Sequence, residues 1–212
     1  MIFEKHHLYG GAITAELPKN LVDASQLRQI PDTQEVFLVA DSNTLNYSEL
    51  NKDDSIVIDL MERVIVDPGK DDIESIYTHA KEISSLNNNG GENEWKLQKI
   101  ENFKSQNFPN DNIFTAVCIE PAKKWGRTTK GSNQPTLVIL LGLIRIEKIS
   151  TDLLCTINVP IVSEEELDDL FTLDQGDNEN HNKASQRINL ASKVLNHFLQ
   201  SVKIEDWSIF TN

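Results

Sequence analysis

Two apolar segments in the second half of the chain show the clearest pattern of the sequence. Thr136 to Ile146 (TLVILLGLIRI) and Leu153 to Val159 (LLCTINV) have apolar residues at odd and even positions alike. A strand of this kind is apolar on both faces, and the sheet that contains it is covered on both sides. The short connection between the two segments fits an antiparallel hairpin. The pattern therefore predicts the centre of an antiparallel sheet that helices cover on both faces.

Two other segments carry apolar residues at helical spacing. Asp71 to Leu86 has them every three or four positions, and its acidic first turn suits the positive end of a helix dipole. Lys183 to Lys203 has a longer apolar stripe of the same kind. The two segments predict two amphipathic helices that can cover the sheet.

The remaining strands are predicted to follow one another with few helices between them. Gly10 and Gly11 mark a bulge or a close backbone approach in a strand pair or bent strand near the N-terminus, and Asp23 begins one short helical turn. Consecutive strands favour antiparallel pairing, so the sequence predicts one α/β domain, residues 1–212, with an α/β/α sandwich fold. The further predicted strands are Leu8 to Pro18, Gln34 to Ala40, Ser55 to Leu60, Glu94 to Phe103 and Ile113 to Glu120.

The charge of the chain is strongly acidic and unevenly placed. Its 212 residues carry a formal net charge of −13, which disfavours a nucleic-acid partner and favours a protein partner with a basic surface. Eight acidic residues and no lysine or arginine lie between Ser163 and Asn180. We expect this segment, about 163–180, to form an acidic surface loop or a partly disordered insertion. We also expect deletion of Asp174 to Asn180 to leave the fold intact.

The two cysteines are expected to be buried free thiols. Cys118 and Cys155 each lie inside an apolar run, and neither has a partner at zinc-binding spacing. Reduced thiols are typical of the cytosol or the nucleus. The sequence shows no secretory signal, and its longest apolar run, Leu137 to Ile144, is far shorter than the roughly 20 residues of a membrane-spanning helix. We therefore expect no metal, no cofactor and no membrane partner.

The candidate chemistry of the chain is confined to acidic residues next to predicted strands. The sequence lacks a phosphate-binding glycine loop, a nucleophile elbow and an HExxH motif. We expect its histidines to be structural or solvated, with His79 near the solvent edge of the first predicted helix. Asp32 and Glu35 flank the start of one predicted strand, and Asp59 and Glu62 lie at the end of the next. Such carboxylates can be solvated turn residues, a patch for lysine and arginine of a partner, or an acid–base pair. The pattern alone leaves these alternatives open.

Four segments of the chain, taken in order, resemble one protein family. They are LYGGAITAELP, VDASQLRQIPDTQEVFL, SIVIDLMERV and TDLLCTINVP, and they lie within Leu8 to Phe37, Ser55 to Val64 and about Val138 to Pro160. They are similar to the Ran guanine nucleotide release factor family, also called Mog-one, whose members bind the small GTPase Ran in nuclear protein import. The resemblance implies a six-stranded, mainly antiparallel sheet flanked by helices on both faces, akin to the photosystem protein PsbP.

The same resemblance implies a function and the residues that serve it. Asp59 and Glu62 would contact Ran, and Asp32, Gln34 and Glu35 would lie on the same surface. The chain would promote release of guanine nucleotide from Ran, without a cofactor and as a monomer, in the nucleus and also in the cytoplasm. A Ran-binding adaptor without exchange activity and an enzyme that uses a carboxylate pair are the alternatives.

The geometry of Asp59 and Glu62 depends on where their strand ends. In an extended chain the two side chains would point to opposite faces, whereas a helical turn after Ile58 would place residues three apart on one face. We expect the helical turn, because a shared acidic face suits a basic partner. We accordingly expect both carboxylates to be exposed.

Overall fold

Two antiparallel sheets and three α-helices make up the computed structural model, which describes residues 1–40, 48–91, 94–123, 134–173 and 182–210. The helices are α1 (Glu74–Leu86), α2 (Glu164–Leu173) and α3 (Lys183–Ser201), and none of these described helices is long and apolar enough to cross a membrane. The strands are β1 (Phe3–Leu8), β2 (Ile13–Pro18), β3 (Leu21–Asp23), β4 (Gln34–Val39), β5 (Ser55–Glu62), β6 (Lys96–Phe103), β7 (Asn112–Pro121), β8 (Thr136–Ile146), β9 (Thr151–Ile161) and β10 (Lys203–Ile204).

The larger sheet has the strand order β3-β4-β5-β9-β8-β7-β6, and every neighbouring pair in it is antiparallel. The predicted hairpin is confirmed, because β8 and β9 pair from Thr136 opposite Ile161 to Ile146 opposite Thr151. The sheet has seven strands, one more than the predicted six, because the three-residue β3 adds to the free edge of β4. The two most apolar strands therefore lie inside the sheet, as their pattern predicts.

Helices cover both faces of the larger sheet, as predicted. On one face, Ile76 and Ala80 of α1 pack in an apolar cluster with Leu141 and other side chains of β7, β8 and β9. On the opposite face, Leu195 of α3 lies 2.8 Å from the position that a Cβ on Gly142 would occupy. A glycine in the middle of β8 thus allows α3 to approach the sheet closely. Burial on two faces explains why β8 and β9 are apolar at nearly every position.

The smaller sheet, β1-β2-β10, lies on the same side of the larger sheet as α3. Its first strand begins at Phe3, earlier than predicted, and the chain reverses through Tyr9–Gly11, where Gly10 has a φ of 66°. That left-handed conformation suits glycine, which has no Cβ. The helical turn predicted after Asp23 is also present, because the Asp23 carboxylate accepts a hydrogen bond from the Ser25 N–H at 2.8 Å.

The first part of the acidic segment is a helix and not the expected surface loop. Glu164–Leu173 forms α2, in which Glu166 is buried. Arg187 of α3 donates hydrogen bonds to Glu166 at 3.2 Å and to Asp54 at 2.5 Å. A buried arginine between two carboxylates offsets part of their charge, and this pairing joins the acidic helix to α3. The stretch from Asp174 to Asn180, which we expect to be dispensable, lies outside the described residues.

The two cysteines lie on opposite faces of the larger sheet. Cys118 packs in the apolar cluster of α1 and Cys155 in that of α3, and both are free and buried, as predicted. Burial raises the pKa of the Cys118 thiol to about 11 and also raises the pKa of the Cys155 thiol. Because the thiolate is the reactive form, both groups are inert in the folded protein at neutral pH.

Candidate protein-binding surface

Strands β4 and β5 bring two of the five predicted residues into direct contact. Gln34 and Asp59 lie opposite each other in the antiparallel register, and Gln34 Nε2 donates a hydrogen bond to Asp59 Oδ1 at 2.7 Å. Asp59 is half-buried, and this burial raises the pKa of its carboxyl, while the bond from Gln34 and the charge of nearby His79 oppose the rise. The pair therefore contains a partly desolvated carboxylate in a fixed position.

Strand β5 continues to Glu62, so the expected helical turn after Ile58 is wrong. Strand β9 pairs with every residue of β5, ending with Glu62 opposite Thr151, and this ladder satisfies the backbone groups that a helical turn would use. Side chains alternate along a strand, so Asp59 and Glu62 point to opposite faces. Glu62 is exposed and Asp59 is only half-exposed on the α1 side, so the expected shared and fully exposed acidic face is absent.

Glu35 makes a structural contact on the face of β4 that looks away from α1. Its Oε1 accepts a hydrogen bond from the Tyr9 backbone N–H at 2.5 Å, and the Tyr9 hydroxyl donates to the Ile58 carbonyl at 2.9 Å. Burial raises the pKa of the Glu35 carboxyl, and the bond from Tyr9 opposes this rise. Glu35 thus joins the turn of the smaller sheet to strands β4 and β5.

The predicted residues meet at one end of the β4–β5 pair, although they do not share one face. Asp32 is exposed in the turn before β4, and the Thr33 carbonyl of this turn accepts a hydrogen bond from the Leu60 N–H at 2.9 Å. A partner that contacted all of them would have to cover the end of the strand pair and not one flat side. We call this region the acidic end, and it consists of Asp32, Gln34, Glu35, Asp59 and Glu62.

A buried polar network that the sequence analysis missed lies behind the acidic end. His79 Nε2 is 2.9 Å from Asp152 Oδ2, and Arg145 Nε donates to Asp152 Oδ1 at 3.2 Å. Arg145 also contacts the Asp72 carboxylate and the Val64 carbonyl. His79 is only 1% exposed, so its expected place near a solvent edge is wrong. The sequence signal was an arginine inside an apolar strand, with an aspartate at the facing position of the hairpin.

The network keeps Asp152 ionised despite its burial. Burial alone would raise the pKa of this carboxyl, but the hydrogen bonds from His79 and the Val64 N–H, together with the charge of Arg145, hold the pKa below its ordinary value. A carboxyl whose folded pKa is lowered contributes stability above its unfolded pKa, and this contribution is lost as the pH falls through the folded pKa. The network therefore stabilises the fold at neutral pH.

Two cavities of the described residues both lie away from the acidic end. A groove of about 610 Å³ lies between strands β6, β7 and β8 and helices α2 and α3, with Val117, Leu167 and Ile188 on its walls. A second cavity, of about 370 Å³, lies near the N-terminus beside Leu50. The raised pKa of Asp59 would suit acid–base chemistry, but a catalytic pair also needs a pocket that encloses a substrate. Neither of these two cavities supplies such a pocket at Asp59.

We expect Asp59→Asn to raise the free energy of unfolding at neutral pH. Burial raises the folded pKa of Asp59, so its carboxyl favours folding below its unfolded pKa and loses this effect as the pH rises through the folded pKa. At higher pH the ionised carboxyl opposes folding, whereas asparagine carries no charge to desolvate. Urea unfolding of both proteins from about pH 3 to pH 8, which brackets the carboxyl range, should show a stability gain that appears as the pH rises. An unchanged or lower stability throughout would contradict a net cost of burying this carboxylate.

The fold and the acidic end together define an α/β sandwich protein with an open acidic surface. Residues 6–160 of the chain match the family model described as Ran-interacting Mog1 protein. The chain belongs to this Ran-interacting Mog1 family, and the family predicted from its motifs is confirmed.

Relatives from distant organisms carry related names. The chain is 34% identical to the nuclear import protein MOG1 of Saccharomyces cerevisiae over 160 residues, which cover 74% of this chain and 66% of the yeast protein. It is 27% identical to a probable Ran guanine nucleotide release factor of Dictyostelium discoideum over 216 aligned positions, which cover 99% of this chain and 97% of that protein. The Ran guanine nucleotide release factor of Danio rerio is 28% identical over 154 residues, covering 73% of this chain and 76% of the fish protein.

A solved structure of the same family has the same fold. The crystal structure of the Saccharomyces cerevisiae Ran-binding protein Mog1p superimposes with a TM-score of 0.73 at 28% sequence identity, and the match covers 100% of both chains. A solved Mog1 variant with a glutamate-to-alanine substitution gives a TM-score of 0.70 at 28% identity over 100% of both chains. The predicted mixed α/β fold with a mainly antiparallel sheet is therefore confirmed.

Proposed function

We propose that this chain binds the small GTPase Ran and promotes release of its guanine nucleotide in nuclear protein import. The observation that carries the proposal is the acidic end, because its strand segments lie within the part of the chain that matches the Ran-interacting family. The chain acts as one Ran-binding domain and a monomer, in the nucleus and the cytoplasm, and it is not an enzyme. Its partner is Ran, and neither nucleic acid nor membrane is a partner.

Three of the four carboxylates of the acidic end are available to a basic partner. Among the described residues, no lysine or arginine forms an ion pair with Asp32, Asp59 or Glu62. Exposed carboxylates without counterions attract basic side chains of a partner and steer its approach. Asp59 differs from the other two, because it is already partly desolvated and held by Gln34, so its geometry is set before a partner arrives.

Release of nucleotide follows from differential binding. A protein can promote release only if it binds nucleotide-free Ran more tightly than nucleotide-bound Ran. By reciprocity, rebinding of nucleotide must weaken the complex by the same factor. The chain supplies carboxylates and needs no cofactor for this role, and any magnesium ion belongs to the nucleotide of Ran. The acidic end would compete with the nucleotide phosphates for basic side chains.

A release assay tests the proposal directly. Ran is loaded with a fluorescent guanine nucleotide, excess unlabelled nucleotide is added, and the fluorescence decay is followed with and without this chain. We expect faster release with the chain and saturation as its concentration rises. Binding without acceleration would instead support an adaptor that lacks exchange activity, and absence of binding would overturn the proposal.

We expect the association rate with Ran to fall as the ionic strength rises. Electrostatic steering acts over the Debye length, which falls from about 10 Å at 0.1 M salt to about 3 Å at 1 M. The net charge of −13 and the carboxylates of the acidic end should both contribute to this steering. Stopped-flow association across this salt range measures the effect. A rate that stays constant would contradict the electrostatic account even if the two proteins bind.

A further inference from the structure

One large apolar side chain beside the acidic end is almost completely exposed. Ile65 follows the last residue of β5 by three positions, and 94% of its surface is accessible. Single apolar residues are common on protein surfaces and need no explanation by themselves. The exposure of Ile65 is informative because hydrogen bonds hold the backbone of the two residues that precede it.

The residue before Ile65 is fixed by two buried charges. The Val64 N–H donates a hydrogen bond to Asp152 Oδ2 at 3.0 Å, and the Val64 carbonyl accepts one from Arg145. Asp152 is 0% exposed and Arg145 is 1% exposed, so both anchors belong to the interior. The Arg63 N–H is held as well, because it donates a hydrogen bond at 3.0 Å to the carbonyl of Ser150, the residue before β9. The chain therefore carries Ile65 into solvent from a rigid base.

An exposed apolar side chain next to an anchored backbone is a favourable contact for a partner. Less conformational entropy is lost when a partner covers it, because the backbone of the two preceding residues is already held. Interfaces often combine such an apolar anchor with a charged rim. Here the rim is present, because Glu62 of the acidic end precedes Ile65 on the same short stretch of chain. Leu27 is a second exposed apolar residue, 69% accessible, in the connection between β3 and β4 at this end of the sheet.

We propose that Ile65 is an apolar contact residue of the Ran-binding surface, and that Arg145 and Asp152 act as positioning residues for it through Val64. This inference rests on the proposed function and extends it from charge to apolar contact. The occupant is an apolar depression on the GTPase whose rim carries the basic side chains that meet Glu62. The contact would add affinity that salt does not screen.

The matched control is an exposed apolar residue at the opposite end of the fold. Leu86 is 78% accessible at the end of α1, where the following Asn87 bonds to Glu120 at the far end of β7. Substituting serine for either side chain removes similar apolar surface from a solvent-exposed position. Both variants should therefore melt within a few degrees of the original protein.

The test compares the affinity of Ile65→Ser, Leu86→Ser and the original chain for nucleotide-free Ran. We expect Ile65→Ser to bind at least about tenfold more weakly, the loss expected when a buried isoleucine side chain is removed from a contact. Leu86→Ser should bind within about twofold of the original, and Ile65→Met should restore most of the affinity. The salt dependence of binding should be the same for Ile65→Ser and the original chain, because no charge has changed.

The outcomes separate this inference from the proposed function. If the original chain binds Ran and Ile65→Ser binds equally well, the role of Ile65 is overturned while the proposed function stands. If Leu86→Ser loses as much affinity as Ile65→Ser, the effect is not specific to this surface and the inference fails. If the original chain does not bind Ran, the proposed function itself is wrong and the inference falls with it.

Discussion

Replacing Arg145 by methionine should lower the free energy of unfolding by about 3–5 kcal/mol, the cost typical of breaking a buried ion pair. Arg145 is 1% exposed and bonds to Asp152, to Asp72 and to the carbonyl of Val64. Methionine fills similar space but leaves the fully buried Asp152 carboxylate without its main counterion. Urea unfolding at pH 7 measures this loss of unfolding free energy. The analysis uses the midpoint of the transition and the dependence of the free energy on urea concentration.

Two further variants make this result specific to the buried pair. Arg63→Met removes an arginine whose contact with Asp72 is 3.9 Å long and whose side chain is 29% exposed, so we expect a loss within about 1 kcal/mol. Adding Asp152→Asn to Arg145→Met removes the uncompensated charge and should recover part of the stability. A loss for Arg145→Met no larger than that for Arg63→Met would show that the network does not hold the strands together.

Reversing the charge of Glu62 should weaken binding to Ran by at least about tenfold and reduce nucleotide release to match. The side chain is exposed, so Glu62→Arg should change the free energy of unfolding by less than about 1 kcal/mol. On the surface of a complex, like charges that face each other cost several kcal/mol. Titration of each variant into fluorescently labelled Ran measures the affinity, and the release assay measures the activity.

Asp59 needs separate treatment, because reversal of both residues together would mix two effects. Glu62→Arg alters only an exposed charge, whereas Asp59→Arg would break the bond from Gln34 and place a cation in a half-buried position. Asp59→Asn is therefore the better test of the charge of Asp59 in binding.

Glu101→Arg is the control for Glu62→Arg. It reverses an exposed charge on the opposite edge strand β6 and changes the net charge by the same amount as Glu62→Arg. Normal Ran binding by folded Glu62→Arg would remove Glu62 from the interface, and failure to fold would make it structural.

The interior strands were predictable because their information is local. The predicted limits of β8, Thr136 and Ile146, are the observed ones, and α3 begins at the predicted Lys183. In both segments the apolar pattern itself marks which side chains are buried. The end of β5 was different, because its continuation to Glu62 depends on pairing with Thr151 of β9. That partner is remote in sequence, and local pattern cannot show where such a ladder stops.

Helix α2 was not predicted from the sequence for a related reason. The acidic residues of α2 suggested a solvated loop, yet Leu167 and Glu166 are both buried there. The counterion of Glu166 is Arg187, 21 positions away, and the same arginine bonds to Asp54 at a separation of 133 positions. Burial of a carboxylate is acceptable only with such a partner, and the partner becomes apparent only once the chain is folded.

The apolar pattern predicted the two strands that carry Glu35 and Asp59, and these strands are neighbours in the sheet. The pattern did not predict the orientation of the acidic side chains. Which side each residue faces follows from strand register, which a single sequence does not reveal. His79 and Arg145 were missed because each lies in a segment otherwise described by its apolar residues. A charged residue within an apolar strand indicates that it has a partner in the protein interior.

The labelling rates of the two buried thiols report local opening of the fold. A thiol-modifying reagent can reach Cys118 only when the layer between α1 and the sheet opens, and Cys155 only when the α3 layer opens. Labelling rates of two single-cysteine variants would thus yield a separate opening free energy for each layer. Asp59 points toward the α1 layer and Glu62 points away from it. Slower labelling of Cys118 or of Cys155 in a complex would therefore show which of the two layers a bound partner stabilises.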